Sequence, residues 1–150
     1  MTESPPTDSR SNLAQRLEEL GGMLGAREAA HANDLAQARG HAESLRVRVE
    51  EALERFHAAA IRAGAPDLRV DLSALRIDDK HLRAVEFNLQ RGRHKAVITA
   101  KERGDVTLVG PFHVGKTEGP CKSFPMDAGS EFDAALGEFL ERFVEEAASP

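Results

Sequence analysis

The chain has no tryptophan, no tyrosine and a single cysteine, Cys121. Without the two large polar aromatics, a nucleic-acid base would find few rings to stack on. The lone thiol cannot close an internal disulfide, which suits a reducing compartment. No apolar run approaches the ~20 residues that a membrane-spanning helix needs. The opening Met1-Thr2-Glu3-Ser4-Pro5-Pro6-Thr7-Asp8 lacks both the basic start and the apolar centre of a secretory signal. These absences together predict a cytoplasmic protein with no membrane association. Metal-ligand spacing is missing too: His31 has no second histidine three or four residues away, and His41 and His57 read as solvated. No metal or other cofactor is expected.

What is present fits a small α+β domain preceded by a helical extension. The 150 residues are 41% hydrophobic and 30% charged, a balance typical of folded domains. The formal net charge of −5 is unevenly spread, since residues 80–122 carry +5 and residues 123–150 carry −6. A basic sheet beside an acidic helix is internally complementary. The 15 arginines against 5 lysines, with abundant alanine, point to a GC-rich bacterial gene.

Residues 1–8, which carry Ser4, Pro5 and Pro6, are expected to be disordered. From residue 9 to 64 the chain is periodic. Leu13, Leu17, Leu20 and Leu24 recur four, three and four residues apart, and His31, Leu35, Ala38, Ala42, Leu45, Val49, Ala52, Phe56, Ala59 and Ala63 continue the heptad. Joining the two blocks inserts one four-residue stutter near Gly21, Gly22 and Gly25. Each glycine costs a helix interior roughly 1 kcal/mol, so a break near 21–25 is predicted. Gly64 and Pro66 then stop the long helix. A helix this long exceeds what a small sheet can cover. Its stripe therefore calls either for the Leu13 to Leu24 segment folded back as a hairpin or for the same helix of a second chain. The expected self-association residues are Leu35, Ala38, Ala42, Leu45, Val49 and Phe56, within a homodimer.

Residues 65–150 read as a four- to five-stranded antiparallel meander covered by a C-terminal amphipathic helix. Leu68, Val70 and Leu72 alternate with polar neighbours, and a change of phase at Ala74 before Leu75 and Ile77 predicts a bulge. Asp78-Asp79-Lys80 supplies a turn. Val85, Phe87 and Leu89 form the next inward row, Arg91-Gly92 closes a hairpin, and Ala96, Ile98 and Ala100 form the third row. Glu102-Arg103-Gly104-Asp105 turns into Val106 to Val109. Ser130 and Asp133 resemble a capping box. Phe132, Leu136, Phe139, Leu140 and Phe143 then recur at helical spacing, with Ala96 and Ala100 expected to leave room for the phenylalanines.

Three stretches carry possible chemistry. Gly110-Pro111-Phe112-His113-Val114-Gly115-Lys116-Thr117 satisfies the phosphate-loop spacing and, over those eight residues only, resembles a P-loop nucleotide hydrolase. The resemblance implies a phosphate cradle backed by a helix N-terminus. Pro120 stands where that helix would begin, Pro111 and Phe112 stiffen the loop, and an antiparallel meander is not the usual host. Secondly, Arg91, Arg93, His94, Lys95, Lys101 and Arg103, with Lys116 as an auxiliary cation, could neutralise phosphates. Cys121 beside Lys122, with His113 nearby in sequence, is the third. The reading that accounts for most of the chain is a non-enzymatic interaction protein that dimerises through its N-terminal helix and presents the α+β module to a protein partner. Nucleic-acid or phosphate-ligand binding through 91–103 is the alternative, and nucleotide hydrolysis comes third.

Overall fold

The computed structural model describes residues 5–78, 83–115 and 119–148. It divides into two compact units, Met1–Asn33 and Asp34–Pro150. One helix, α1, runs from Pro5 to Arg62. Proline is tolerated in a first helical turn, where the N–H would lack a partner anyway. Helix therefore occupies residues 5–8, where disorder was expected, and residues 1–4 lie outside the described residues. The break predicted at Gly21, Gly22 and Gly25 is absent, because helix continues through all three. Their cost of roughly 1 kcal/mol each is offset by the strong helix formers around them, among them Leu20, Met23, Leu24, Ala26 and Arg27. Continuity also rules out the folded-back hairpin of Leu13 to Leu24. At its far end α1 closes as the residue types demand. The Ala65 N–H reaches the Ala60 carbonyl at 2.8 Å, the Gly64 N–H reaches that of Ile61 at 3.0 Å, and Gly64 adopts φ 93°.

The remaining elements are β1 (Asp71–Leu72), β2 (Arg76–Ile77), β3 (Ala84–Arg91), β4 (His94–Lys101), β5 (Asp105–His113), β6 (Cys121–Pro125), a short 3-10 turn (Met126–Ala128) and α2 (Ser130–Ala148). All strands pair antiparallel, in the order β1-β3-β4-β5-β6 with β2 also on β3. The fold is thus α+β: a long N-terminal helix, an antiparallel sheet and a C-terminal helix packed on it. Strands β1 and β2 are the two halves of one edge strand. Leu72 faces Leu89 and Arg76 faces Glu86, so the edge gains one residue between them, the bulge expected near Ala74. The Asp78-Asp79-Lys80 turn lies outside the described residues from Asp79 onward.

Both helices lie on the same face of the sheet. From α1, Leu45, Val49 and Leu53 join Val70, Phe87, Leu89, Ala96, Ile98, Val106 and Leu108 of the strands and their lead-in, with Phe132, Leu136, Phe143 and Ala147 of α2. Burying a phenylalanine side chain contributes about 2–3 kcal/mol, and Phe87, Phe132 and Phe143 are all fully enclosed. Ala38 and Ala42 of α1 form a second cluster with Val85 and Ala100. The small Ala100 therefore makes room for α1, not for the phenylalanines of α2, while Ala96 does lie among them. Asp133 meets Arg48 at 2.6 Å, and the first-turn N–H of Asp133 is taken by the Gly129 carbonyl at 3.0 Å.

His57, expected to be solvated, holds α1 to the chain entering β1. Its Nε2 accepts the Val70 N–H at 3.0 Å, which requires a neutral ring at that nitrogen. Burial holds this imidazole below its ordinary value of 6.5, helped by Arg69 and opposed by Asp71 and Glu54. Among the described residues no helix is long and apolar enough to cross a membrane.

Strand β5 continues well past Val109, through the first four residues of the phosphate-loop pattern. Lys95 faces Phe112 but Val97 faces Val109, so β5 holds an extra residue at Gly110-Pro111. Gly110 has φ 118°, and a Cβ there would come within 3.0 Å of the Lys95 carbonyl oxygen and 3.1 Å of Ala96. This glycine serves a bulge. Gly110→Ala should cost about 2 kcal/mol or more in urea unfolding. Gly137→Ala, in α2 with open space around it, should be neutral or stabilising by up to about 1 kcal/mol. The neutral His57 gives a second expectation. The unfolded chain takes up its proton first as pH falls through about 6.5, so this contribution is present above that pH and lost below it. Thermal midpoints measured from pH 8 to 5 should fall more steeply for the native chain than for His57→Gln, whose side-chain oxygen can accept the same N–H without titrating.

Candidate functional site

The basic residues that neighbour each other in sequence are separated by the length of a strand. Arg91, Gly92, Arg93 and His94 form the β3–β4 turn at one end of the sheet, whereas Lys101 and Arg103 stand at the β4–β5 turn at the other. With a rise of ~3.3 Å per residue, the two ends of β4 are roughly 23 Å apart. Successive turns of a meander must fall on opposite ends, so these cations form two groups with Lys95 on the strand between them. Lys95 lies between Gln90 and Phe112 across the strands, and Lys116 lies outside the described residues.

At the first end, Arg91, Arg93, His94 and His113 line an open depression of about 850 Å³ together with Glu145 and Glu146 of α2. His94 and His113 face each other across β4 and β5 with rings nearly perpendicular and centroids 5.0 Å apart. Arg91 is half-buried. Its terminal nitrogens donate to the carbonyls of Ala147 and Asp67 at 3.5 Å each, while Nε is buried without a hydrogen-bond partner among the described residues. A cation at a helix C-terminus is favoured by the carbonyls left open there. Arg91 thus fastens the end of α2, and Glu145 and Glu146 bring negative charge to the same depression without an ion pair to Arg91 or Arg93 among the described residues. Cations do not form a continuous track here. At the other end Arg103 lies 4.0 Å from Glu102, and the His41 ring, predicted to be solvated, sits beside Gly104.

The remaining chemical suggestions come apart in the structure. The phosphate-loop pattern is followed at Cys121 by strand β6, and the helix that the device needs is absent from that position. Cys121 is exposed on β6 opposite Val109, whereas His113 stands beyond the bulge at the far end of β5, opposite His94. Lys122 points to the other face, beside Phe124 and Phe139. Among the described residues no group of three His, Cys, Asp or Glu side chains could hold a metal ion.

The predicted self-association residues divide in the same way. Ala38, Ala42, Leu45 and Val49 are 0% exposed against the sheet of their own chain, so they offer no surface to a second copy. A 3.5-residue repeat marks an apolar face equally well whether that face meets a helix or a sheet, and here it meets the sheet. Leu35 is half-buried, and Phe56 is half-exposed in a groove between α1 and α2. In the first unit apolar side chains stand open at heptad spacing. Leu13, Leu17, Leu20 and Leu24 are 61%, 60%, 42% and 43% exposed, and Met23 beside them is open as well. The signal for this surface was already in the leucine spacing, but the choice between the two blocks was not.

Comparison with protein-family models, with curated proteins and with solved structures returned no match.

Because Arg91 is fixed to α2 and Arg93 is exposed, their replacement should separate. Arg91→Met should lower unfolding stability by about 1 kcal/mol through loss of the helix-end cation. Arg93→Met should stay within about 0.5 kcal/mol of the native chain in the same urea titration.

Proposed function

We propose that this chain is a non-enzymatic interaction protein that self-associates through the Leu13–Leu24 face of α1 and presents its 34–150 unit to a protein partner. One observation carries the reading: four leucines at heptad spacing stand open to solvent on a single helix. Surface leucines scattered singly are ordinary, but a contiguous stripe marks a contact surface. Each leucine fully withdrawn from water would contribute about 1.5–3 kcal/mol before the costs of association. The reading is non-enzymatic because the first four residues of the phosphate-loop pattern are taken up by a strand and its bulge, and because the Cys121 thiol, the His113 imidazole and Lys122 lie apart. A cytoplasmic location and a homodimer belong to the same proposal. The division of the basic residues between two ends of the sheet weighs against phosphate or nucleic-acid binding along 91–103.

Light scattering on the full chain should give a mass of two chains. The double substitution Leu17→Ser with Leu20→Ser should give one chain, with the cooperative unfolding of 34–150 unchanged. A single-chain mass for the native protein, or two chains for the double substitution, would overturn the reading.

A further inference from the structure

The groove between α1 and α2 has an acidic rim and an apolar floor. Ala52, Phe56, Leu140 and Val144 line about 300 Å³ of open space, with Glu141 and Glu145 one helical turn apart along its edge. On the neighbouring faces of α2, Arg142 is paired with Glu146 at 3.2 Å and Asp133 with Arg48, but neither Glu141 nor Glu145 has an ionic partner among the described residues. The floor is apolar where two amphipathic helices, both facing the sheet, leave a furrow on their solvent side.

From these features we infer that the groove is the receptor for the Leu13–Leu24 stripe of a second copy of this chain, each copy giving a helix to the other. This rests on the self-association proposed above and names the surface that the stripe meets. Three observations favour the groove over a stripe meeting its own copy. First, Leu13 to Leu24 spans less than two heptads, whereas a two-stranded coiled coil needs three or four to be sustained. Secondly, in a parallel pair the flanking positions would set Arg16 against Gly21 and Met23 against Glu28, so that no ion pair forms. Thirdly, at 100° per residue Arg16 and Arg27 flank the stripe on one side, with Glu28 on the other and Glu18 and Glu19 turned away, and neither arginine has an ionic partner among the described residues. One basic flank therefore approaches an acidic rim. The floor, from Ala52 to Phe56 on one wall, is about one turn long, room for two leucines at i and i+3 or i+4. This is helix-in-groove recognition, and the reciprocal exchange closes the pair without leaving a free end.

Sedimentation equilibrium on the full chain tests it with charge reversals on exposed side chains. Glu141→Lys with Glu145→Lys should raise the dimer dissociation constant about tenfold or more. Arg16→Glu with Arg27→Glu should do the same, and all four together should return it to within about threefold of native. If the glutamate pair leaves the constant within about twofold while Leu17→Ser with Leu20→Ser dissociates the dimer, the groove is not the receptor and self-association through the stripe stands. The inference is also overturned if the fourfold variant stays as weak as either pair. If the leucine substitutions have no effect, the stripe itself is not the contact and both fall. Circular dichroism on each variant should match the native spectrum, since all the reversed charges are on exposed helix faces.

Discussion

A sheet with one apolar face must find enough cover for that face, and in residues 34–150 this single demand places both helices. The two cover it by different means. Where α1 crosses Val85 and Ala100, its own contributions are Ala38 and Ala42, and small side chains allow the backbones to approach closely. Further along, Leu45, Val49 and Leu53 take over, and the width that remains is filled by Phe132, Leu136 and Phe143 from α2. Large side chains stand where the layers diverge and small ones where they converge, as near-crystalline packing requires. The chain from 34 to 62 is therefore part of the domain core, and a boundary at residue 64 would cut through it.

Charged side chains refine this arrangement without supplying its main stability. Arg48 lies over the Phe132 ring, 5.8 Å from its centroid, and pairs with Asp133 at the start of α2, while Arg91 reaches the carbonyls at its finish. Exposed pairs are individually worth about 1 kcal/mol or less. Their value lies in fixing where along the sheet the second helix sits. On the opposite face of the sheet the same economy holds. Arg76, Glu86, Thr99, Thr107 and Ser123 align in one row across the strands, with Arg76 and Glu86 2.6 Å apart and the Thr107 and Ser123 hydroxyls 3.0 Å apart. Cross-strand pairs of this kind stabilise a sheet in small increments.

Much of this was legible in the residues, and the part that was not has definite causes. Alternation of Val85, Phe87 and Leu89 with polar neighbours placed β3, and Gly64 before Pro66 placed the end of α1, because each rests on local geometry that tertiary contacts do not override. The edge bulge near Ala74 was visible as a change of phase. Periodicity could not say which surface the α1 stripe would meet, since helix and sheet partners demand the same spacing. Nor could the glycines at 21, 22 and 25 be weighed correctly, because propensity sums over a window and three poor residues were outnumbered. The run Gly110-Pro111-Phe112 concealed the continuation of β5, as a bulge interrupts the very alternation by which a strand is recognised. His57 gave no signal at all. Its partner is a main-chain N–H thirteen residues on, and nothing in a sequence marks such a bond.

The outer edge of the sheet is made by β6, whose residues run from Cys121 to Pro125 with Pro120 just before them. A proline has no N–H to offer an incoming strand; Pro120 turns its carbonyl inward to the Gly110 N–H, so of the two it is Pro125 that withholds a rung on the open side. Between them Lys122 would carry a charge into any stack. Fibrillar growth by edge-to-edge accretion is thereby discouraged at this border of the sheet.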